Sequence, residues 1–194
     1  MPTRVNVGKK AIRCLGIAES FRKEAGSKAV LAGVVIRSDL LVDGLVLASC
    51  TVGGMDSTDS IISMWKSLNR DDVNFILLGG SVISWFNVVN LGKLYDTTST
   101  PLICITYRES EGLDDVFKRR FPEDWAQRLE VHNRNGERHP IVLKTGFKVF
   151  VRCFGLSVED AKKLIDKFTL EGRYPEPVRL AKMIARSALR CKER

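Results

Sequence analysis

The 194-residue chain has only two histidines, and its five cysteines, at 14, 50, 104, 153 and 191, never form a Cys-x-x-Cys pair. A zinc ribbon or a redox dithiol needs that spacing. Cys–His or Ser–His–Asp catalysis needs a histidine beside its nucleophile, so both chemistries start poorly supplied. Cys14, Cys50, Cys104 and Cys153 lie in or at the ends of apolar runs, where reduced cysteine behaves as a small core hydrophobe. No apolar run approaches the roughly 20 residues that span a bilayer. The first seven residues lack an apolar h-region, so no secretory signal is expected and the cytoplasm is the expected location. Prolines number six, and there is no repeat, low-complexity stretch or linker, so residues 1–194 read as one domain.

What is abundant is positive charge. Lys and Arg total 31 against 23 Asp and Glu, a formal net charge of +8. A basic protein gains by releasing counterions from a polyanion, so nucleic acid is the first partner to consider. The excess is concentrated at the ends: residues 1–28 carry a net +5 and residues 155–194 a net +4, leaving the middle near neutral.

Three Val- and Ile-rich segments, 12–18, 28–37 and 40–52, are joined by links too short for a parallel return, which predicts an antiparallel meander. The period then changes to helical: Asp56-Ser57-Thr58-Asp59 offers N-cap residues before Ile61, Ile62, Trp65 and Leu68. Residues 73–78 read as a buried parallel strand, broken by Gly79-Gly80-Ser81 and followed by a helix to about Tyr95. Residues 101–106 are a fifth strand and 112–121 a helix. The stretch 130–140, with His132, His139 and an Asn135-Gly136 turn signal, reads as a solvated hairpin tip. A strand at 147–154 precedes two helices, the first capped by Ser157 and the second opened by Pro175-Glu176-Pro177. The predicted architecture is an α/β ribonuclease H-like mixed sheet of order 3-2-1-4-5, its first and fourth strands parallel, with C-terminal helices.

Chemistry in such a sheet sits where the first and fourth strands end. A two-metal nuclease needs several carboxylates there to share Mg²⁺ ions. The nearby acids are Glu19 after the first strand, Asp56 and Asp59 at the first helix, and Glu109 and Glu111 after the fifth strand. Helix capping and plain solvation are the competing readings of these acids. Gly79, Gly80 and Ser81 could admit a phosphate to the N–H groups of a following helix, although a tight turn explains them as well. Arg22, Lys23 and Arg108 are further candidate phosphate contacts. Trp85 and Phe86 could stack on a base or simply fill the core.

The segment Gly172-Arg173-Tyr174-Pro175-Glu176-Pro177-Val178-Arg179-Leu180-Ala181 resembles the closing helix of endonuclease V. Over almost its whole length the chain is similar to an archaeal, uncharacterised family related to endonuclease V. That resemblance rests on Gly16-Ile17-Ala18-Glu19-Ser20-Phe21, Thr51-Val52-Gly53-Gly54-Met55-Asp56 and Leu78-Gly79-Gly80-Ser81 through Asn87. It extends over Tyr107-Arg108-Glu109-Ser110-Glu111-Gly112 and Lys167-Phe168-Thr169-Leu170-Glu171-Gly172. The resemblance implies a ribonuclease H-like fold and metal-dependent phosphodiester chemistry. Departures stand at the residues that would carry it. Endonuclease V ends its first strand on Asp, where Ala18 stands with Glu19 beside it, and its fourth on Asp, where Gly79 stands. Asp56 is the nearest equivalent of its helix-preceding Glu, and its His near residues 153–156 has no counterpart.

Three functions follow. The first is a nucleic-acid-binding protein that has lost hydrolysis. The second is a Mg-dependent nuclease or phosphoryl-transfer enzyme with a site rebuilt from Glu19, Asp56, Glu109 and Glu111, in which Glu19 and Asp56 hold the metal. The third is a partner-binding scaffold that uses the C-terminal helices.

Overall fold

The computed structural model describes residues 5, 7–9, 11–109 and 112–192. Strands β1 (Arg13–Ser20), β2 (Lys28–Arg37) and β3 (Val42–Thr51) form the antiparallel meander, with Ala18 opposite Ala32 and Leu31 opposite Ala48. After helix α1 (Ser57–Leu68), β4 (Phe75–Leu78) enters parallel to β1, with Ile17 opposite Leu78. Helix α2 (Leu91–Thr98) returns the chain to β7 (Leu102–Thr106), which is parallel to β4. Each parallel pairing is thus bought with a helical crossover, as the geometry of parallel strands demands. The expected five-strand order holds, and β9 (Lys148–Phe154) and β8 (His139–Val142) extend it antiparallel beyond β7.

Both faces of the sheet are covered, which is why its central strands are continuous apolar runs. Leu15, Ile17, Ile76 and Leu78 pack with α1 and α2. Cys14, Ala18, Phe75 and Leu77 pack with α5 (Val158–Lys167) and α6 (Glu176–Cys191), where Phe168 meets Phe75 edge-on at 5.6 Å. The first turn of α6 lies directly on β1 and β4. A Cβ on Gly16 would come within 2.3 Å of the Pro177 backbone, and one on Gly79 within 2.9 Å of Val178 Cγ1. The Pro-Glu-Pro segment and these two glycines are therefore one packing unit.

Two expectations are corrected. The segment after β4 is not a helix: β5 (Val82–Ile83) and β6 (Asn87–Val88) form a small hairpin, and α2 begins only at Leu91. At its tip Ser84, Trp85 and Phe86 have φ of 44°, 58° and 69°. Left-handed backbone costs a side-chain-bearing residue about 1–2 kcal/mol, so tertiary contacts must hold it. Gly53 N–H donates to Ser84 O at 2.8 Å. Trp85 packs edge-on against Phe121 at 5.9 Å, and Phe86 against Phe117 and Phe121 at 6.0 Å. These two aromatics are half-buried against α3 (Asp114–Arg120) and its following loop rather than presented as open stacking platforms.

The second correction concerns 130–140, which is not a hairpin tip. Helix α4 (Trp125–Arg134) runs through His132, and only His139 lies on a strand. Apolar periodicity does not hold this helix; polar tertiary bonds do. Arg128, 2% exposed, donates to Asp124 and to the carbonyls of Gly53, Gly54 and Phe86. Asn135 is buried, accepting from Leu91 N–H and donating to Val89 O, both at 2.8 Å. Among the described residues no helix is long and apolar enough to cross a membrane.

Candidate nucleic-acid interface

Gly79 N–H donates to Ile17 O at 3.0 Å, so Ala18 and Gly79 stand just past the last β1–β4 pair, Ile17 and Leu78. A methyl group and a hydrogen therefore stand where the parallel pairing ends. Two cavities, of about 440 and 530 Å³, open there and share Gly79, Tyr107 and Tyr174 in their walls. The smaller is lined by Ala18 and Glu19 and, from α6, by Val178, Arg179, Lys182 and Arg186. The larger is lined by Ser81, Arg108, His132, Arg138 and Arg152.

Among the described residues, Glu19 is the carboxylate next to Ala18 on β1, and its side chain is only 14% exposed. Its Oε1 lies 3.3 Å from Lys182 Nζ, which also donates to the Glu19 carbonyl at 2.6 Å. Oε2 is buried without a hydrogen-bond partner. Burial pushes the Glu19 pKa up, and Lys182 only partly opposes it.

Asp56 precedes α1 as expected, but its side chain does not cap the helix. It turns back to β3, accepting the Thr51 N–H at 3.0 and 3.1 Å, the Thr51 hydroxyl at 2.8 Å and the Asn87 amide at 2.8 Å. Asn87 caps α1 in its place, accepting from Ser57 N–H. Burial works to raise the Asp56 pKa, but the donors from Thr51 and Asn87 outweigh it and hold the carboxyl below its ordinary value.

Glu109 is exposed, pairs with Lys148 at 3.0 Å and lines neither cavity. Glu111 lies outside the described residues. Among the described residues no group of three His, Cys, Asp or Glu is placed to hold a metal ion. The Mg²⁺ that an endonuclease V-like fold implies needs oxygen ligands that converge. With Asp56 saturated by donors and Glu19 facing a lysine, the described carboxylates do not fit it.

The candidate phosphate contacts fare differently. Gly79, Gly80, Ser81 and Arg108 all line the larger cavity. No helix N-terminus follows the glycines, however, and the N–H groups of Gly79 and Gly80 are engaged by Ile17 O and Leu78 O. Arg22 and Lys23 are exposed on the β1–β2 connection, and Lys23 borders a third cavity with Glu19, Phe21 and Trp85.

Sequence reasoning missed His132, Arg138, Arg152, Tyr107 and Tyr174. Arg152 had a visible signal: it is a charge inside an apolar strand, alternating with buried Val149 and Val151. His132 packs edge-on to Phe117 at 6.3 Å, and its Nδ1 is buried without a partner. Burial, then Arg152 and Arg138, lower its pKa against the opposing pull of Asp114. Tyr107 lies 4.5 Å from Tyr174, and its hydroxyl is likewise buried and unpartnered, so its pKa is raised.

The chain is similar to a UPF0215 protein of Pyrobaculum calidifontis, 34% identical over 172 residues that cover 88% of this chain and 93% of that protein. A crystal structure of a protein of unknown function from Archaeoglobus fulgidus superposes with a TM-score of 0.79 at 26% identity, covering 91% of this chain and 98% of that one. Endonuclease V from Ciona intestinalis, in complex with a 24mer DNA containing an inosine followed by a ribo-adenosine, shares the fold at a TM-score of 0.63. The identity there is 16%, over 93% of this chain and 87% of that one. The overall fold is thus shared with endonuclease V. The family model described as endonuclease dU matches residues 10–189, and the chain belongs to that family.

Proposed function

We propose that this member of the family binds nucleic acid across the ends of β1, β4 and β7, and that it holds the strand by phosphate contacts rather than cutting it at a metal centre. The observation that carries this reading is the pair Ala18 and Gly79 where the β1–β4 pairing ends, beside a cavity whose described charged groups, Arg108, Arg138 and Arg152, are all cationic. Helix α6 adds Arg179, Lys182 and Arg186 to the adjoining wall, which accounts for part of the positive excess at the C-terminal end. The family description and the inosine-containing DNA bound by the Ciona protein make dU- and inosine-containing strands the first ligands to test.

Fluorescence anisotropy with labelled single-stranded and duplex DNA and RNA, in EDTA from 20 to 200 mM salt, tests the reading. If about four phosphates are neutralised, log K should fall with log salt at a slope of about −3 to −4. Arg179→Ala combined with Arg186→Ala should weaken binding and flatten the slope by about one to two. Absence of binding at low salt would overturn the reading.

One observation favours a second reading, a nuclease with a rebuilt site. Glu19, next to Ala18 on β1, keeps a buried carboxylate oxygen, Oε2, without a hydrogen-bond partner. Strand cleavage that requires Mg²⁺ or Mn²⁺ and is lost in Glu19→Gln would establish that reading.

A further inference from the structure

Arg152 sits on β9 with 7% of its surface exposed. A buried guanidinium costs several kcal/mol unless its charge is paired and its donors are satisfied. The same molecule shows how it solves that problem when an arginine is structural. Arg128 makes two 2.7 Å bonds to Asp124 and three more to backbone carbonyls. Among the described residues Arg152 has two neutral acceptors only: Gly136 O at 2.7 Å from Nε and Ser81 Oγ at 3.2 Å from Nη1. Among the described residues no carboxylate pairs with it and its Nη2 has no hydrogen-bond partner.

Instead of a counterion, more positive charge surrounds it. Arg108 and Arg138 line the same cavity, Arg138 being fixed by its bond to the Arg108 carbonyl at 3.0 Å and by the Phe150 ring 5.2 Å away. Burial, and then Arg138 as a like charge, lower the Arg152 pKa, with Cys104 opposing. Two further polar atoms of the lining residues, His132 Nδ1 and Tyr107 Oη, are buried without partners. A wall that holds three cations and, among the described residues, no carboxylate is complementary to an anion with several acceptor oxygens.

We propose that the 530 Å³ cavity is a binding site for the phosphate monoester of a single nucleotide, seated on Arg152 and Ser81 with Arg108 and Arg138 beside it. A monoester carries about −1.5 to −2 at neutral pH, which matches three arginines better than the single charge of an internal phosphodiester. The guanidinium edge suits two phosphate oxygens at once. The cavity volume falls in the usual range for small-ligand sites, and half-exposed Tyr174 offers a ring to sugar or base. The monoester can come from a strand end or from a free nucleotide. The strand-end source rests on the nucleic-acid reading above.

The test compares ten-residue DNA strands bearing a 5′-phosphate, a 3′-phosphate or neither, labelled at the opposite end, with adenosine 5′-monophosphate and inorganic phosphate as competitors, all in EDTA. A phosphorylated end should tighten binding about tenfold or more, the usual scale for a charge-assisted contact. Arg152→Gln should erase that increment, so that phosphorylated and unphosphorylated strands bind the variant alike. Arg138→Ala, a partly exposed position, should reduce the increment, and adding adenosine 5′-monophosphate to the wild type should shift the His132 ring resonances. These two measurements stand even if Arg152→Gln fails to fold. Displacement of unphosphorylated strands' phosphorylated counterparts by micromolar adenosine 5′-monophosphate identifies the free nucleotide as a ligand; preference for the strand end identifies the other source. Equal binding of phosphorylated and unphosphorylated strands, with His132 unmoved, overturns the pocket and leaves the groove reading intact. Failure of every strand to bind at low salt overturns that reading, while His132 still decides the pocket.

Discussion

Asp56→Asn separates a structural carboxylate from a metal ligand. The side chain accepts three donors: the Thr51 N–H, the Thr51 hydroxyl and the Asn87 amide, at 2.8–3.1 Å. Asparagine keeps one acceptor and turns an NH₂ group toward one of these donors. At least one charge-assisted bond is lost, worth about 1.5–3 kcal/mol, and a buried donor is left facing another. A total near 3 kcal/mol corresponds to a fall in Tm of about 6–12 °C for a chain of this size. The effect should depend on pH. Because the folded pKa lies below the ordinary 3.8, the unfolded chain binds more protons between the two values. The stabilisation is therefore complete above about pH 4 and is lost as pH falls through the folded pKa, so wild type and variant should converge in acid. Calorimetric melts at pH 7 and pH 3, with and without 5 mM Mg²⁺, measure this. An unchanged Tm at pH 7 would refute the reasoning, and so would a Mg²⁺-dependent rise in Tm present in the wild type and absent in the variant.

Further outcomes follow from the same site. Glu19→Gln should raise Tm at pH 7: burial holds the folded Glu19 pKa above 4.5, so the native state binds the extra proton and stability falls as pH climbs from about 4.5 through the folded value. The variant should lack that fall in melts from pH 4 to 8. Gly79→Asp puts a Cβ 2.9 Å from Val178 Cγ1 and should cost about 1–3 kcal/mol by overpacking, with partial recovery when Val178→Ala is added; urea titrations of the three variants check it. Arg128→Met leaves Asp124 and three carbonyls without their donor and should cost about 3–5 kcal/mol, with loss of protection in α4 by hydrogen exchange.

The parts of the fold legible in the sequence are those written in hydrophobic period and link length. The meander of β1 to β3, the buried β4 and β7, and the amphipathic α5 and α6 all declare themselves locally, and the parallel placement of β4 beside β1 follows from the crossover rule. The two misread segments depend on polar partners far away in the chain. Nothing near Phe86 signals that its carbonyl accepts a bond from Arg128, 42 residues on, which helps to hold three left-handed residues. Nothing near His132 signals that Arg128 and Asn135 tie a polar helix to residues 53–54 and 89–91. The strand-end position of Ala18, Glu19 and Gly79 could be read from topology, whereas of the cationic wall only Arg108 is a candidate from sequence. The wall draws Arg108, Arg138 and Arg152 from three separate elements or loops, and beyond Arg108 only the odd charge within β9 hinted at it.

The most direct test of a site that binds without a metal centre is one titration run in two buffers. Labelled dU-containing single strands are titrated with the protein in EDTA and in Mg²⁺ at equal ionic strength, and the recovered strands are then resolved on a denaturing gel. The expected result is the same affinity in both buffers, falling with salt, and intact strands throughout. Strands cut only in Mg²⁺, by an activity that disappears in Glu19→Gln, would contradict it.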